Sequence, residues 1–130
     1  MKNDYLGLLG IARKAGKVEL GEEAITSFAE RRKIRLLLTA SDSAERTKNT
    51  ARRLAELSKA PCIEVEQTRE ELGNALGTRP CAAVGVSDMG IAAALVKKLS
   101  AYNTEAEKML SAVTEKAERF ERRKKKKRTN

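Results

Sequence analysis

Apolar and polar positions alternate along this chain in a regular order of helical and extended stretches. Leu8, Leu9, Ala12 and Ala15 share one helical face over residues 4–15, with Asp4 as a cap and Gly16 as a stop. Residues 17–20 read as extended. Gly21 opens a second helix to about Arg32, with Ala24, Ile25, Phe28 and Ala29 facing inward. Glu22 and Glu23 in its first turn carry the charge sign that a helix N-terminus favours. Residues 34–39 form an unbroken run of β-formers, the pattern of a strand buried on both faces. Ser41, Asp42 and Ser43 are capping residues for a third helix to about Lys59, with a core stripe of Ala44, Thr47, Ala51, Leu54 and Ala55. Pro61 interrupts, and residues 62–66 make a second strand. Thr68 and Glu71 are spaced as a capping box for a short helix that stops at Gly77. Thr78, Arg79 and Pro80 form a loop, residues 81–87 a third main strand, and Asp88 caps a helix that begins near Met89.

Strands alternating with helices predict an α/β fold, a three-layer α-β-α sandwich around a small mixed sheet. With the segment at 17–20 the sheet has about four strands. A C-terminal helical, basic extension follows. Leu99, Tyr102, Ala106, Met109, Val113, Ala117 and Phe120 recur at three- and four-residue steps, so the last helix is expected to continue past residue 100. Glu115 with Arg119 and Glu118 with Arg122 add favourable i,i+4 pairs. The stripe is open to two readings, a helix packed on the domain or an arm that protrudes toward a partner. The expected division is a domain at 1–100, a helical extension at 101–121 and a basic tail at 122–130.

Charge changes this picture more than composition does. Residues 1–100 hold 17 basic and 13 acidic side chains, whereas residues 101–130 hold 10 and 5. Arg122, Arg123, Lys124, Lys125, Lys126, Lys127 and Arg128 are consecutive. Such a block repels itself, which predicts disorder when unbound and a polyanion as its contact. The phosphate backbone of nucleic acid is the first candidate. At 130 residues and 41% hydrophobic, the chain has room for one domain with a real core. It has no His, which excludes imidazole-based nucleophile systems and metal sites, and its 3% aromatics argue against a base-stacking platform. Cys62 and Cys81 lie far apart in apolar runs and read first as small buried thiols of a reducing compartment, with a disulfide as the alternative. No run approaches a membrane span, and Arg13, Lys14 and Lys17 break any early signal-peptide core, so a cytoplasmic protein without a membrane is expected.

Little here resembles catalysis. Dinucleotide and phosphate-loop fingerprints are absent. Gly7-Leu-Leu-Gly10 matches a KH clamp only in letters, because it lies inside a helical pattern. Glu22 and Glu23 are adjacent on a helix and do not face each other as an acid/base pair would. No enzyme, cofactor or metal is expected.

One set of motifs is more specific. Residues 12–25 read A-R-K-A-G-K-V-E-L-G-E-E-A-I, followed by L-L-L-T-A-S-D at 36–42, E-L-G-N-A-L-G at 71–77 and V-G-V-S-D at 84–88. As a set these resemble the kink-turn-binding ribosomal protein superfamily, of the L-seven-Ae and L-thirty-e type, nearest its small bacterial YlxQ-like branch. The resemblance covers about residues 4–100 and implies the same sandwich. It also implies RNA binding through two elements, the helix start at Gly21 and the loop after Gly77. The kink-turn binders carry Gly-x-Asn-Glu with a Lys three residues later. Here Gly21, Glu22, Glu23 and Ala24 stand at those positions, and Ser27 stands where the Lys would be. An ionised Glu23 can only accept hydrogen bonds, so the docking surface is expected to persist with its specific contacts replaced.

The expected RNA-binding set is therefore Arg13, Lys14, Lys17, Gly21, Glu22, Glu23, Ser27, Arg31, Lys33, Gly77, Thr78, Arg79, Pro80 and the tail from Arg122 to Arg128, with Arg32 and Arg35 adding charge. The function this implies is a non-catalytic, ribosomal-type protein that docks on bent or bulged RNA, with ribosomal RNA or the ribosome as partner. The alternative is a protein-interaction module whose C-terminal helix binds a protein partner.

Overall fold

Four short strands, β1 (Val18–Leu20), β2 (Leu36–Thr39), β3 (Cys62–Glu64) and β4 (Ala83–Val86), pair into one mixed sheet of order β1-β4-β2-β3. β4 is antiparallel to both of its neighbours, and β2 and β3 run parallel. The computed structural model describes residues 4–128. Side chains alternate across the sheet, and both faces are covered. Leu36, Leu38, Ile63, Val84 and Val86 point into one core with Leu9, Leu72 and Leu95. Leu37 points into the other, with Ile25, Ala29, Leu54 and Ala55. Helices α2 (Glu22–Glu30) and α3 (Glu45–Leu57) form the second layer, and α1 (Asp4–Lys14), α4 (Arg69–Leu76), α5 (Met89–Leu99) and α6 (Thr104–Arg128) the third. This is the three-layer α-β-α sandwich that the periodicity predicts.

The predicted caps divide into two groups. Thr68 and Glu71 form the reciprocal capping box, and the Asp88 carboxylate accepts from Ile91 N at 3.0 Å. Ser41 to Ser43 do not cap α3, whose first turn follows Ala44 with no side-chain cap. The Asp42 carboxylate instead accepts from Arg69 N at 2.8 Å, at the start of α4, and Ser43 Oγ donates to Ala82 O at 2.7 Å. These short polar side chains tie neighbouring loops together rather than open their own helix. The α3 stripe also differs. Ala44 is exposed and Thr47 half-buried, whereas Lys48 is buried, with its ammonium 3.0 Å from Glu64.

Two expectations about the C-terminal segment change. The helix does not run on from α5, because Ser100 to Asn103 form a break. Asn103 restarts it by accepting from Ala106 N at 3.0 Å, and its amide donates to Glu64 O at 2.9 Å. Tyr102, counted in the apolar stripe, is exposed in this break. The rest of the stripe is packed rather than protruding: Ala106 and Val113 are buried, with Met109, Leu110, Ala117 and Phe120 against the same core. The basic run is helical through Arg128, where disorder was expected. Lys and Arg are good helix formers, and cations favour a helix C-terminus, so a packed helix can carry them outward. Thr129 and Asn130, the last residues of the expected tail, lie outside the described residues.

The register gives the sheet two distinct ends. Thr39 pairs with Glu64 and Ala83, and Leu20 with Val84, so the start of α2 and the loop before β4 share the Thr39 end. Leu36 and Val18 both pair with Val86, so Lys17 and Arg35 lie at the opposite, Leu36 end. α6 starts beside Glu64 and runs toward the Leu36 end, where Lys116 Nζ donates to Lys59 O at 3.0 Å.

Candidate nucleic-acid interface

At the Thr39 end, three segments close around an open cavity of about 730 Å³. The first is the start of α2. Gly21 has φ 89 and ψ 148, a backbone region that L side chains rarely adopt, so glycine allows the chain to turn from β1 into the helix there. No side chain caps this helix, which leaves first-turn N–H groups facing outward beside Glu22 and Glu23.

The second segment is the loop after α4. Gly77, at φ 70 and ψ 37, ends that helix in the left-handed region, and Thr78 N donates back to Gly73 O at 2.8 Å. The Arg13 guanidinium donates to Leu76 O and fixes the same turn from α1. Arg79 and Pro80 then pass directly over Gly73; a β-carbon there would lie 2.8 Å from Arg79 C and 3.0 Å from Pro80 Cα. Cys81 N donates to Arg69 O at 2.9 Å and Ala40 N to Ala82 O at 3.0 Å, so the far side of the loop is fastened too. Arg79 is exposed between these anchors.

The third segment, α3, contributes Arg46, Thr47 and Thr50. Sequence reasoning missed them. A signal was present, because Thr47 and Thr50 stand four residues before Ala51 and Leu54 and place hydroxyls on the apolar face. The cavity has an apolar floor of Ile25, Leu37, Ala51 and Leu54 and a rim of threonines, Glu22, Arg46 and Arg79.

Of the expected set, Gly21, Glu22, Thr78, Arg79 and Pro80 line this cavity. Glu23 is exposed on the same first turn, and Ser27 is exposed farther along α2. Arg13, Lys14 and Gly77 line a neighbouring groove between α1 and α4. Lys17, Arg31 and Lys33 are not brought to the cavity. They flank β1 and α2 at the Leu36 end, where the Arg31 guanidinium lies 4.5 Å from the Phe28 ring centroid. Arg122, Arg123, Lys124, Lys125, Lys126 and Lys127 are exposed on the last turns of α6, toward that same end.

The Arg69 backbone N–H, with the Arg69 charge behind it, holds the Asp42 carboxyl below its ordinary pKa. Burial pushes the Cys62 thiol up to about 11 and raises that of Cys81, and both cysteines are free. Among the described residues no cluster of His, Cys, Asp or Glu could hold a metal ion, and no helix is long and apolar enough to cross a membrane.

The family described as ribosomal protein L7Ae/L30e/S12e/Gadd45 matches residues 4–96. An RNA-binding protein YlxQ from Enterococcus faecium is 29% identical over 87 residues, which are 67% of this chain and 82% of that one. Its counterpart from Bacillus subtilis is 29% identical over 96 residues, 74% of this chain and 95% of the relative. Among solved structures, a protein of unknown function from Bacillus halodurans superposes with a TM-score of 0.69 at 27% identity, covering 74% of this chain and 96% of its own. A 15.5kD RNA binding protein of Giardia lamblia shares the fold, with a TM-score of 0.59 at 18% identity over 74% and 84% of the two chains.

Proposed function

The chain belongs to the ribosomal protein L7Ae/L30e/S12e/Gadd45 family, and on that premise we propose that it is a non-catalytic cytoplasmic protein that docks on bent or bulged structured RNA, ribosomal RNA above all. The observation that carries this reading is the convergence of the Gly21 helix start and the Thr78–Pro80 loop on one cavity. Sequence-specific proteins read RNA where its bases are unstacked, because the major groove of paired A-form RNA is too narrow for side chains. An apolar floor ringed by hydroxyls suits a base turned out of the stack. Arg46 and Arg79 supply charge for the adjoining phosphates, and the uncapped N–H groups of α2 can approach a phosphate closely.

Glu22 and Glu23 alter what is read. A carboxylate accepts but cannot donate, so these side chains suit the amino groups of base edges. They also repel phosphate. The expected preference is for an RNA that presents base edges at the helix start and phosphates at the Arg79 side, with kink-turns as the first shape to test. The relatives named YlxQ are RNA-binding proteins, which supports the class of partner. Most of the apolar stripe of α6 packs on the chain's own core, which supports RNA over a protein partner for this segment.

The test is a titration of the full chain against a kink-turn RNA and a matched duplex without the kink, near physiological salt. A preference for the kinked RNA is expected. Arg79→Ala and Arg46→Ala should each reduce that affinity by about tenfold, the loss of one base or phosphate contact. Equal affinity for both RNAs, untouched by either substitution, sinks the proposal.

A further inference from the structure

The Leu36 end of the molecule carries a second set of cations, which the cavity does not use. Arg35 precedes β2, and its guanidinium lies 4.8 Å from the centroid of the Phe120 ring; Arg123 approaches the same ring at 6.0 Å. Phe120 packs on the core, so it fixes both guanidinium groups relative to the sheet. Lys116 Nζ is held on Lys59 O, the backbone oxygen at the end of α3. Lys116, Arg119, Arg123 and Lys127 follow each other at three- and four-residue steps and share one stripe of α6.

These charges repel each other. Burial, and then Arg35, Arg119 and Lys59, all lower the proton affinity of Lys116. Acids on the same helix do not cancel the excess: Glu115, Glu118 and Glu121 stand against nine bases from Lys116 to Arg128. The ion pair of Glu121 with Lys124 in this stretch spans 4.0 Å on the surface. Such exposed pairs contribute little. A folded chain that concentrates like charge at one end loses stability by it, and a polyanion would relieve the repulsion. The eight residues beyond Phe120 add about 12 Å of helix, so the charge projects outward rather than along the domain. The segment lies outside the family match, which ends at residue 96.

We propose that this end is a second RNA-binding surface, which grips the phosphate backbone of a duplex without reading its sequence, so that one copy of the chain holds two RNA segments at opposite ends of its sheet. The register separates the two surfaces. The cavity opens beside Thr39 and Ala83, whereas Arg35 and Phe120 lie beyond Leu36 and Val86. An anionic lipid surface is disfavoured, because the exposed turns of α6 after Phe120 hold charged residues only and offer no apolar face to insert.

The experiment uses the full chain with a donor-labelled bulged hairpin and an acceptor-labelled, fully paired RNA duplex. Energy transfer that needs the protein is expected, from a complex of one chain with both RNAs. Two variant sets separate the surfaces. Replacing Lys124, Lys125, Lys126 and Lys127 together by Gln touches only exposed side chains. It should weaken duplex binding at least tenfold and make the plot of log affinity against log salt shallower by about 3.6, from four lost phosphate contacts. It should leave hairpin affinity within about threefold. Arg79→Ala should do the reverse, which keeps a failure of the cavity reading distinct from a failure of this one. A salt slope unchanged in the quadruple variant overturns the proposal. So does one-for-one displacement of hairpin by duplex, or binding to phosphatidylserine vesicles at lower protein concentration than to the duplex.

Discussion

Gly73 offers a direct test of how the Arg79 loop is held. A β-carbon at this position meets Arg79 O, Arg79 C at 2.8 Å and Pro80 Cα at 3.0 Å, all of them backbone. To reach ordinary contact with the Arg79 oxygen, the nearest of the three, the loop must retreat by about 1 Å. It has little room to do so, because Thr78 N is bonded to Gly73 O on one side and Cys81 N to Arg69 O on the other. Overpacking of this kind costs about 1–3 kcal/mol, and a strained or lost hydrogen bond adds about 1 kcal/mol. Alanine is better than glycine inside a helix by about 1 kcal/mol, which offsets part of the cost. Gly73→Ala should therefore destabilise the protein by about 1–3 kcal/mol, near 4 °C of melting temperature per kcal/mol for a chain of this size. It should also weaken binding to bulged RNA, since Arg79 is displaced. Gly7→Ala is the control: it lies in α1 with nothing within 4 Å, and should stabilise by about 0.5–1 kcal/mol. Thermal unfolding of the two variants, with RNA titration of both, checks the pair. A Gly73→Ala protein that melts at or above the wild-type temperature and binds RNA unchanged would refute this account of the loop.

Alkylation can report occupancy of the cavity: Cys81 lines it and Cys62 does not, so bound RNA should slow modification of Cys81 alone, as read by mass spectrometry. Burial raises the Cys62 pKa from 9.0 to about 11, so the folded state keeps a proton that the unfolded state releases. The stability this contributes is complete below pH 9 and lost as pH rises toward 11; the urea midpoint should fall across that window, and less steeply in Cys62→Ala. Ending the chain at Ser100 removes α6 and uncovers the core around Leu95 and Leu99. The lost burial of Ala106, Met109, Val113 and Phe120 is worth on the order of 5 kcal/mol, so the shortened chain should melt far lower and bind hydrophobic dyes; an unchanged melting curve would mean that α6 does not pack.

The parts of the fold legible in the sequence are those set by local chemistry. Unbroken runs of β-forming residues mark β2 and β4, the Thr68 and Glu71 spacing marks the start of α4, and Gly77 marks its end. What was not legible depends on contacts between distant segments. Asp42 looks like a cap for the helix that follows it, yet its partner is Arg69, twenty-seven residues on. Lys48 looks like an exposed helix position, yet it is buried because Glu64 and Ser41 O receive its ammonium. The break at residues 100–103 is invisible to periodicity, since the apolar steps run through it; Asn103 reveals it only once Glu64 O is in place. The candidate site shows the same division. Gly21 and the Thr78–Pro80 loop could be picked out by their backbone demands and their motif. Thr47 and Thr50 left a trace in their spacing to Ala51 and Leu54, but Arg46 could not be picked out, because only the packing of α3 beside α2 brings it to the rim.

The same packing decides how the charge acts. Read along the chain, 27 bases against 18 acids describe a single polycation that would bind any nucleic acid. Folded, the excess is split. The break at residues 100–103 turns α6 back along β3, and the pairing of Lys116 with Lys59 O carries its basic end to the side of the sheet opposite the cavity. Around the cavity the cations Arg46 and Arg79 share the rim with Glu22, so affinity there must come from fit to a particular RNA shape. At the far end, affinity rests on phosphate contacts and should fall steeply with salt. A helix start bearing two glutamates would be a poor way to hold RNA on its own. It is a workable way to choose among RNAs, because two carboxylates turn away a backbone that offers phosphate alone and accept from base edges that present amino groups.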